Sequence, residues 1–233
     1  MTKATSPRSA SRVSPPASNG AAPLVGVLVV IYTVIDGDLR VLLIHRSAEP
    51  YRDLWAIPGG RLKPGESLVE AATRKLLDET GLEDVFLEQL YTFGDLDDVT
   101  PGGSIAITYF ALVDHARARL AERPDWRPAW FSMRELPKLA FRNEDVLDYA
   151  LERLRNKLEY TNVAYSLLPG RFTLSQLQRV YESITGHALD KRNFRKRMLS
   201  LGIIQETGEQ QAEGAGRPAR LYRFRSREPV ALS

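Results

Sequence analysis

The stretch from Gly60 to Leu82 constrains this chain more than any other part of the sequence. Pro64–Gly65 marks a turn. Ser67, followed three residues later by Glu70, is a capping box that starts a helix, and Gly81 is placed to end it. The pattern therefore predicts a strand, a loop and a helix.

The two faces of the predicted helix differ in polarity. Leu68, Ala71, Ala72 and Leu76 recur at intervals of three and four residues, which indicates an apolar stripe that faces a core. The charged residues are expected on the other side of the helix. They are Glu70, Arg74, Lys75, Asp78 and Glu79.

This stretch resembles the Nudix box. The matching residues are Gly60, Glu66, Arg74, Leu76, Glu79, Gly81 and Leu82, and Asp78 keeps a carboxylate where the family has Glu. In active Nudix proteins the carboxylate face holds Mg²⁺ or Mn²⁺, because such hard cations bind several oxygen ligands and bridge to substrate phosphates. The resemblance thus points to Asp78 and Glu79 as metal ligands.

Lys75, however, stands where the box has a Glu. It lies one helical turn before Asp78 and Glu79, so its ammonium is placed to occupy the position of a metal. At about 4 Å and an effective dielectric near 20, each unit-charge interaction is worth roughly 4 kcal/mol. Exchanging an attraction for a repulsion should weaken cation binding by orders of magnitude. We therefore expect a catalytically degenerate box that requires no metal cofactor.

The alternative is a slow, metal-dependent enzyme. In it, Glu66, Asp78 and Glu79 would still hold one Mg²⁺ or Mn²⁺ with the help of a remote acid. The candidates for that acid are Asp95, Asp97 and Asp98.

The charge of the chain is divided unevenly along its length. The net charge is +3, but residues 161–233 carry 12 Lys and Arg against 6 acids, whereas residues 23–160 carry 17 against 23. Residues 1–22, a Ser, Ala and Pro mixture with three basic residues, predict a disordered tail. We therefore expect an acidic domain at 23–160 and a basic domain at 161–233.

The acidic domain alternates apolar runs with turn signals. These predict strands near 25–34, 40–46, 84–93, 105–113 and 128–132, with a second helix at 143–158. The expected fold class is α/β, with a mixed sheet between helices as in the Nudix α/β/α sandwich. The apolar run at 24–35 is too short to span a bilayer, no secretory signal is present, and a cytoplasmic protein without membrane contact is expected.

Residues before the box are candidates for a nucleotide site. In relatives that bind nucleoside diphosphates, the corresponding region contacts phosphate, base or ribose, which nominates Arg46, Trp55, Gly59 and Gly60 together with Glu79. The alternative to ligand binding is plain packing for Trp55. For Arg46 it is a side chain that is merely solvated. Residues 91–98 and 104–112 resemble the part of the Nudix subgroup that handles ADP-ribose.

The basic domain predicts a helix-turn-helix. Thr173 to Gln176 is a capping box for a helix ending near Ser183, and Asp190 caps a second helix at 191–201. Phe194, Met198 and Leu201 share the buried side of that second helix. Its basic outer surface is typical of a recognition helix in the major groove, although such a face can also be merely solvated. The candidate DNA-binding residues here are Lys191, Arg192, Asn193, Arg195 and Lys196.

Two strands, at 203–207 and 220–225, are expected to add a wing, with Gly216–Pro218 at its base as a short, rigid, cationic element. Arg217 is expected in or beside a narrow minor groove, and Arg217 and Arg220 are further candidate DNA-binding residues.

An acidic Nudix-like domain joined to a basic winged helix resembles the Nudix-related transcriptional regulators of NAD metabolism. The resemblance is carried by the box, by residues 91–94, by residues 189–194 and by residues 216–224. It implies a homodimeric repressor that binds palindromic operator DNA near genes of NAD synthesis or salvage and senses ADP-ribose or a related nucleotide. The rival functions are a metal-dependent ADP-ribose pyrophosphatase with an accessory domain and a winged helix that docks on protein.

Overall fold

A computed structural model describes residues 22–83, 85–96, 100, 102–120, 127–211 and 218–232. Residues 1–21 of the predicted tail, Asp97, Asp98 and Arg217 lie outside these residues. Within the described ranges, no helix combines the length and the apolar character needed to cross a bilayer.

The first domain is built on a mixed sheet of seven strands. Its central strand β1 pairs with β6 in parallel and with β2 and β4 in antiparallel, while β7 pairs with β2. The order along the sheet is β3-β2-β1-β6-β5. The strands are β1 Leu24–Ile35, β2 Asp38–His45, β3 Trp55–Ala56, β4 Gly59–Arg61, β5 Phe86–Gly94, β6 Ser104–Leu112 and β7 Arg127–Ser132.

Two helices, α1 (Leu68–Thr80) and α2 (Asn143–Tyr160), cover the sheet. Alternate residues of β1 point to opposite faces of the sheet. Val29 and Ile31 belong to the buried cluster that contains α1, whereas Val30 and Tyr32 belong to the cluster that contains α2. This explains why β1 is apolar at nearly every position, and it confirms the predicted sandwich.

The second domain is a winged helix. A 3₁₀ helix at Val163–Leu167 precedes β8 (Phe172–Thr173), α3 (Leu174–Thr185), α4 (Lys191–Ser200), β9 (Ile204–Gln211) and β10 (Ala219–Phe224), with strand order β8-β10-β9. The Thr173 hydroxyl caps α3 and Gly186 ends it with φ of 80°, while Asp190 caps α4 by accepting from the Asn193 N–H. The predicted helix-turn-helix and wing are both present.

The two domains share one buried core. A single cluster contains Tyr32 of the sheet, Leu154 of α2, Ile184 of α3 and Phe194 of α4. The end of the chain also returns to the junction, because the Leu232 N–H donates to the Tyr160 carbonyl at 2.8 Å.

The differences from the sequence prediction are local. Strand β3 was not predicted, and β4 was predicted only as a strand before the box loop, without bounds, because two or three residues carry too little periodicity to be recognised. Helix α3 runs two residues past Ser183, and α4 ends at Ser200, one residue before the predicted end.

Candidate nucleotide cavity and DNA-binding surface

The first acidic residue of the box, Glu66, precedes α1 and is bound by a cation from that helix. Arg74 donates to Glu66 through two nitrogens, at 2.6 Å and 2.9 Å, and the Lys63 N–H donates to the same carboxylate at 2.9 Å. The Arg74 side chain, followed by the Lys63 backbone, holds the pKa of Glu66 at about 2. Both oxygens of Glu66 are therefore engaged by the protein itself.

Lys75 and Glu79 form the second pair of α1. Lys75 Nζ lies 3.4 Å from Glu79 Oε1, and the two side chains are 14% and 1% exposed. The prediction that Glu79 lies on the polar face is wrong. Glu79 comes seven residues after the buried Ala72, so the helical repeat returns it to nearly the same direction as that residue. A buried carboxylate is costly unless a cation accompanies it, and Lys75 supplies that cation.

The box carboxylates do not fit a divalent metal in this arrangement. Asp78 is the most exposed of them and lies 3.9 Å from Arg74 Nη1. Glu66 and Glu79 are each paired with a cation of the protein. Among the described residues, no group of three or more His, Cys, Asp or Glu side chains could hold a metal ion. Asp95 is described and has a positive φ of 53°, whereas Asp97 and Asp98 lie outside the described residues.

A largely apolar cavity of about 260 Å³ opens between β1, β4, β6 and the start of α2. Three of the nominated residues, Arg46, Gly59 and Gly60, line it. A Cβ on Gly59 would come within 2.3 Å of Leu28 Cδ2 and 2.9 Å of the Val27 carbonyl oxygen, so only glycine lets β4 lie this close to β1.

Trp55 is placed outside the lining of this cavity. Its ring packs edge to face against Phe131 at 4.5 Å between centroids and against His45 at 5.1 Å. The packing alternative therefore describes its position, because Trp55 lies next to Arg46 through the pairing of β2 with β3 but is not among the residues that line the cavity.

Arg46 forms one wall of the cavity. Its guanidinium lies 4.4 Å from the centre of the Phe141 ring and donates to the carbonyls of Pro50 and Ala48. Burial lowers the pKa of Arg46, and Glu49 opposes that shift. These contacts hold a positive charge in place at the edge of an apolar space.

Most of the lining residues were not nominated from the sequence. Among them, Arg61, Phe141 and Asn143 bring a charge, an aromatic ring and an amide to the cavity. Asn143 is buried as the first residue of α2, and its Oδ1 accepts from the Ile57 N–H at 2.8 Å. A helix-starting Asn was visible in the sequence, but its contact with Ile57, which lies 86 residues earlier between β3 and β4, was not.

The charged pair on α1 lies beside this cavity. The position of a Cβ on Gly60 would be 3.8 Å from Lys75 Cε, which places the lysine stem against a lining residue. Lys75 thus lies near the cavity, and Arg46 and Arg61 are the charged residues that line it.

Helix α4 carries the second candidate surface. Lys191, Arg192, Asn193, Arg195 and Lys196 are all exposed, whereas Phe194 and Met198 are buried against the rest of the domain. Within the described ranges, no ion pair involves the lysines and arginines of this exposed set. Arg195 Nη2 lies 3.5 Å from the Tyr222 hydroxyl of the wing. Arg220 is placed on the wing as predicted, but it pairs with Glu206 at 3.1 Å.

The turn between α3 and α4 is fixed by side chains. Glu182 accepts from the Leu189 N–H at 2.8 Å and from Gln178 at 2.9 Å, and Gln178 also donates to the Leu189 carbonyl. These bonds, the Leu189 N–H first, lower the pKa of Glu182. The clamp sets the angle at which α4 leaves α3.

Comparison with known proteins identifies the family. Residues 25–150 match the NUDIX domain, and residues 164–224 match the NrtR DNA-binding winged helix domain. The chain is 39% identical, over 211 residues, to the ADPR responsive transcriptional repressor NtrR of Acinetobacter baylyi, covering 89% of this chain and 84% of that protein. The chain belongs to the NrtR family.

Solved structures of an NrtR protein are similar along most of the chain. Shewanella oneidensis NrtR complexed with a 27mer DNA shares 32% identity at a TM-score of 0.78, over 86% of this chain and 93% of that one. The NUDIX domain of the same protein complexed with ADP ribose shares 31% identity at a TM-score of 0.52, over 57% of this chain and 90% of that one. The NrtR winged-helix match includes α3, α4 and both strands of the wing.

Proposed function

We propose that this protein is a transcriptional repressor that binds operator DNA through α4 and responds to ADP-ribose, or a related nucleotide, bound in the first domain. The observation that carries the proposal is the exposed, basic outer surface of α4. In the same chain, the first domain holds a cavity beside a Nudix box whose acids Glu66 and Glu79 are paired with cations of the protein. Three comparisons support it: a relative named as an ADPR responsive transcriptional repressor, an NrtR structure with DNA, and an NrtR NUDIX domain with ADP ribose.

The nucleotide site is proposed to be the cavity lined by Arg46, Arg61, Gly59 and Gly60. Its apolar walls suit a base, and two arginines at its edge suit a diphosphate. Glu79 is proposed to act indirectly, by holding Lys75 next to Gly60. Mg²⁺ and Mn²⁺ are not required, because positive charge of the protein stands where the metal of active relatives would bridge to phosphate.

The DNA site is proposed to consist of Lys191, Arg192, Asn193, Arg195 and Lys196 on α4, with Arg217 and Arg220 from the wing. Arg220 would have to exchange its pairing with Glu206 for a phosphate. A homodimer would place two copies of α4 on the half-sites of a palindrome about 34 Å apart. The target genes are proposed to be those of NAD synthesis or salvage.

Hydrolysis of ADP-ribose by a residual active site is the second candidate, favoured by the match to the NUDIX domain alone. The arrangement of Glu66, Lys75 and Glu79 argues against brisk turnover.

Binding to a duplex from the region upstream of the protein's own coding sequence tests both candidates. Purified protein should bind this duplex with an affinity that falls steeply with salt, because each neutralised phosphate releases counterion. Adding ADP-ribose should change the affinity, and the nucleotide should be recovered intact. Rapid cleavage of ADP-ribose with Mg²⁺, without any binding to the duplex, would contradict the repressor function and support the enzyme.

A further inference from the structure

Helix α2 begins at the cavity. Its first residue, Asn143, lines the cavity and is hydrogen-bonded to Ile57, which lines it too. The two residues before α2, Phe141 and Arg142, have positive φ of 58° and 51°. This conformation is unfavourable for residues that carry a side chain, and it concentrates at sites that change shape on binding.

The other end of α2 contacts the helix-turn-helix. Arg155 Nε donates to the carbonyl of Ile184 at 2.9 Å, and Arg155 Nη2 lies 3.8 Å from the position of a Cβ on Gly186, which ends α3. The Ile184 carbonyl is one of the last four of α3 and has no partner within the helix. Asn143 and Arg155 are separated by about 18 Å along the helix axis at 1.5 Å per residue.

The space between these two contacts is filled by one close-packed cluster. Ile57 at the cavity, Leu147 and Leu154 on α2, and Ile184 on α3 all belong to it. A dense core transmits displacement, because it has little free volume in which a shift can be absorbed. A movement at the start of α2 therefore has to reach α3.

We propose that Arg155 couples the nucleotide cavity to the recognition helix. A nucleotide seated against Ile57 and Asn143 shifts α2, Arg155 carries that shift to the end of α3, and the clamp of Glu182 on Leu189 carries it to α4. Arg155 is a positioning residue, since it lies neither in the lining of the cavity nor on α4. The inference rests on the proposed function, because it concerns how one site regulates the other.

The test measures the coupling factor, which is the ratio of operator dissociation constants with and without saturating ADP-ribose. Reciprocity requires the same factor when ADP-ribose binding is measured with and without the duplex. Arg155→Ala should move this factor toward one by roughly two- to thirtyfold, the range found for residues that carry coupling. Both separate affinities should persist, which shows that the variant is folded.

Arg153→Ala is the matched control. Arg153 is an exposed arginine on the same helix, and it pairs with Glu88 of the first domain at 3.4 Å. It should leave the coupling factor unchanged, and Arg155→Lys, which keeps the charge and one donor, should restore part of it.

Two results would overturn the inference while leaving the proposed function intact. One is an unchanged coupling factor in Arg155→Ala, and the other is an equal loss in Arg153→Ala. A wild-type protein whose operator affinity does not respond to ADP-ribose would remove both the inference and the proposed effector.

Discussion

Helices α1 and α4 both carry closely spaced cations, but they use them in opposite ways. On α1, Arg74 pairs with Glu66 and Lys75 pairs with Glu79. On α4, Lys191, Arg192 and Lys196 are exposed, and no ion pair within the described ranges involves them. The first helix thus directs its positive charge at its own acids, whereas the second presents it to an external polyanion.

The comparison shows that charge alone does not define a site. Lys75 differs from Lys196 less in chemistry than in partners and burial: its side chain is 14% exposed beside a buried acid. A buried cation that has an acidic partner can silence a metal site, while an exposed one without an acid contributes to long-range attraction of DNA. The predictions below change the partners on one helix or the other.

The largest effect is expected from Lys75→Glu. Restoring an acid next to Asp78 and Glu79 replaces repulsion by attraction at about 4 Å, so Mg²⁺ affinity should rise by orders of magnitude. Calorimetric titration with Mg²⁺ measures it, and Lys75→Met, which removes the charge without adding an acid, should show a smaller gain. If hydrolysis of ADP-ribose does not rise with metal affinity, other losses silence the site. Unchanged metal affinity would contradict the role given to Lys75.

The second-largest effect is expected from removing two exposed cations from α4. Arg192→Ala combined with Lys196→Ala should weaken operator binding by roughly 10- to 100-fold and reduce the salt slope by about one for each phosphate that is no longer neutralised. Titrations at several salt concentrations measure both quantities. Lys138→Ala, in the exposed surface of the first domain, is the control and should change neither. An unchanged salt slope in the double variant would show that these residues do not neutralise phosphates.

Gly59→Ala tests the close approach of β4 that places Lys75 next to the cavity. Its methyl group would meet Leu28 and the Val27 carbonyl, so the free energy of unfolding should fall by about 1–3 kcal/mol. Gly60→Ala is the matched control, because its methyl group would meet nothing closer than Lys75 Cε at 3.8 Å. Denaturant unfolding should therefore separate the two variants, and equal stability would mean that β4 has room to move.

The smallest effect concerns the pH dependence of the Glu66–Arg74 pair. The pKa of Glu66 is lowered from 4.5 to about 2, so the pair stabilises the folded state above pH 4.5 and loses that contribution as pH falls toward 2. Glu66→Gln should be less stable than the wild type at pH 7, and the difference should shrink toward pH 2. Unfolding curves at both ends of this range measure it, and a difference that does not vary with pH would contradict the pairing.

The sequence predicted those elements whose signals are local. The caps at Ser67, Thr173 and Asp190 fixed where α1, α3 and α4 begin, and the periodic residues Phe194 and Met198 fixed the outer face of α4. A strand as short as β3 has no local pattern and forms only because β2 pairs with it, and the bounds of β4 likewise follow from its pairing with β1.

The candidate cavity was harder to predict than the DNA-binding surface. Arg46, Gly59 and Gly60 were nominated from the resemblance, but Phe141 and Asn143 reach the cavity from another part of the chain. Trp55 has the sequence position of a ligand residue, yet its ring packs on Phe131, because the pairing of β2 with β7 places an aromatic residue beside it. Such contacts depend on the tertiary fold.

The central claim is that ADP-ribose acts on this protein as a signal and not as a substrate. One experiment addresses it directly: fluorescence anisotropy of the labelled upstream duplex during titration with ADP-ribose, with chromatography of the nucleotide from the same sample. The account predicts that the DNA affinity changes while ADP-ribose remains intact, with Mg²⁺ present or chelated. Brisk conversion of ADP-ribose together with no binding of the duplex at low ionic strength would contradict it.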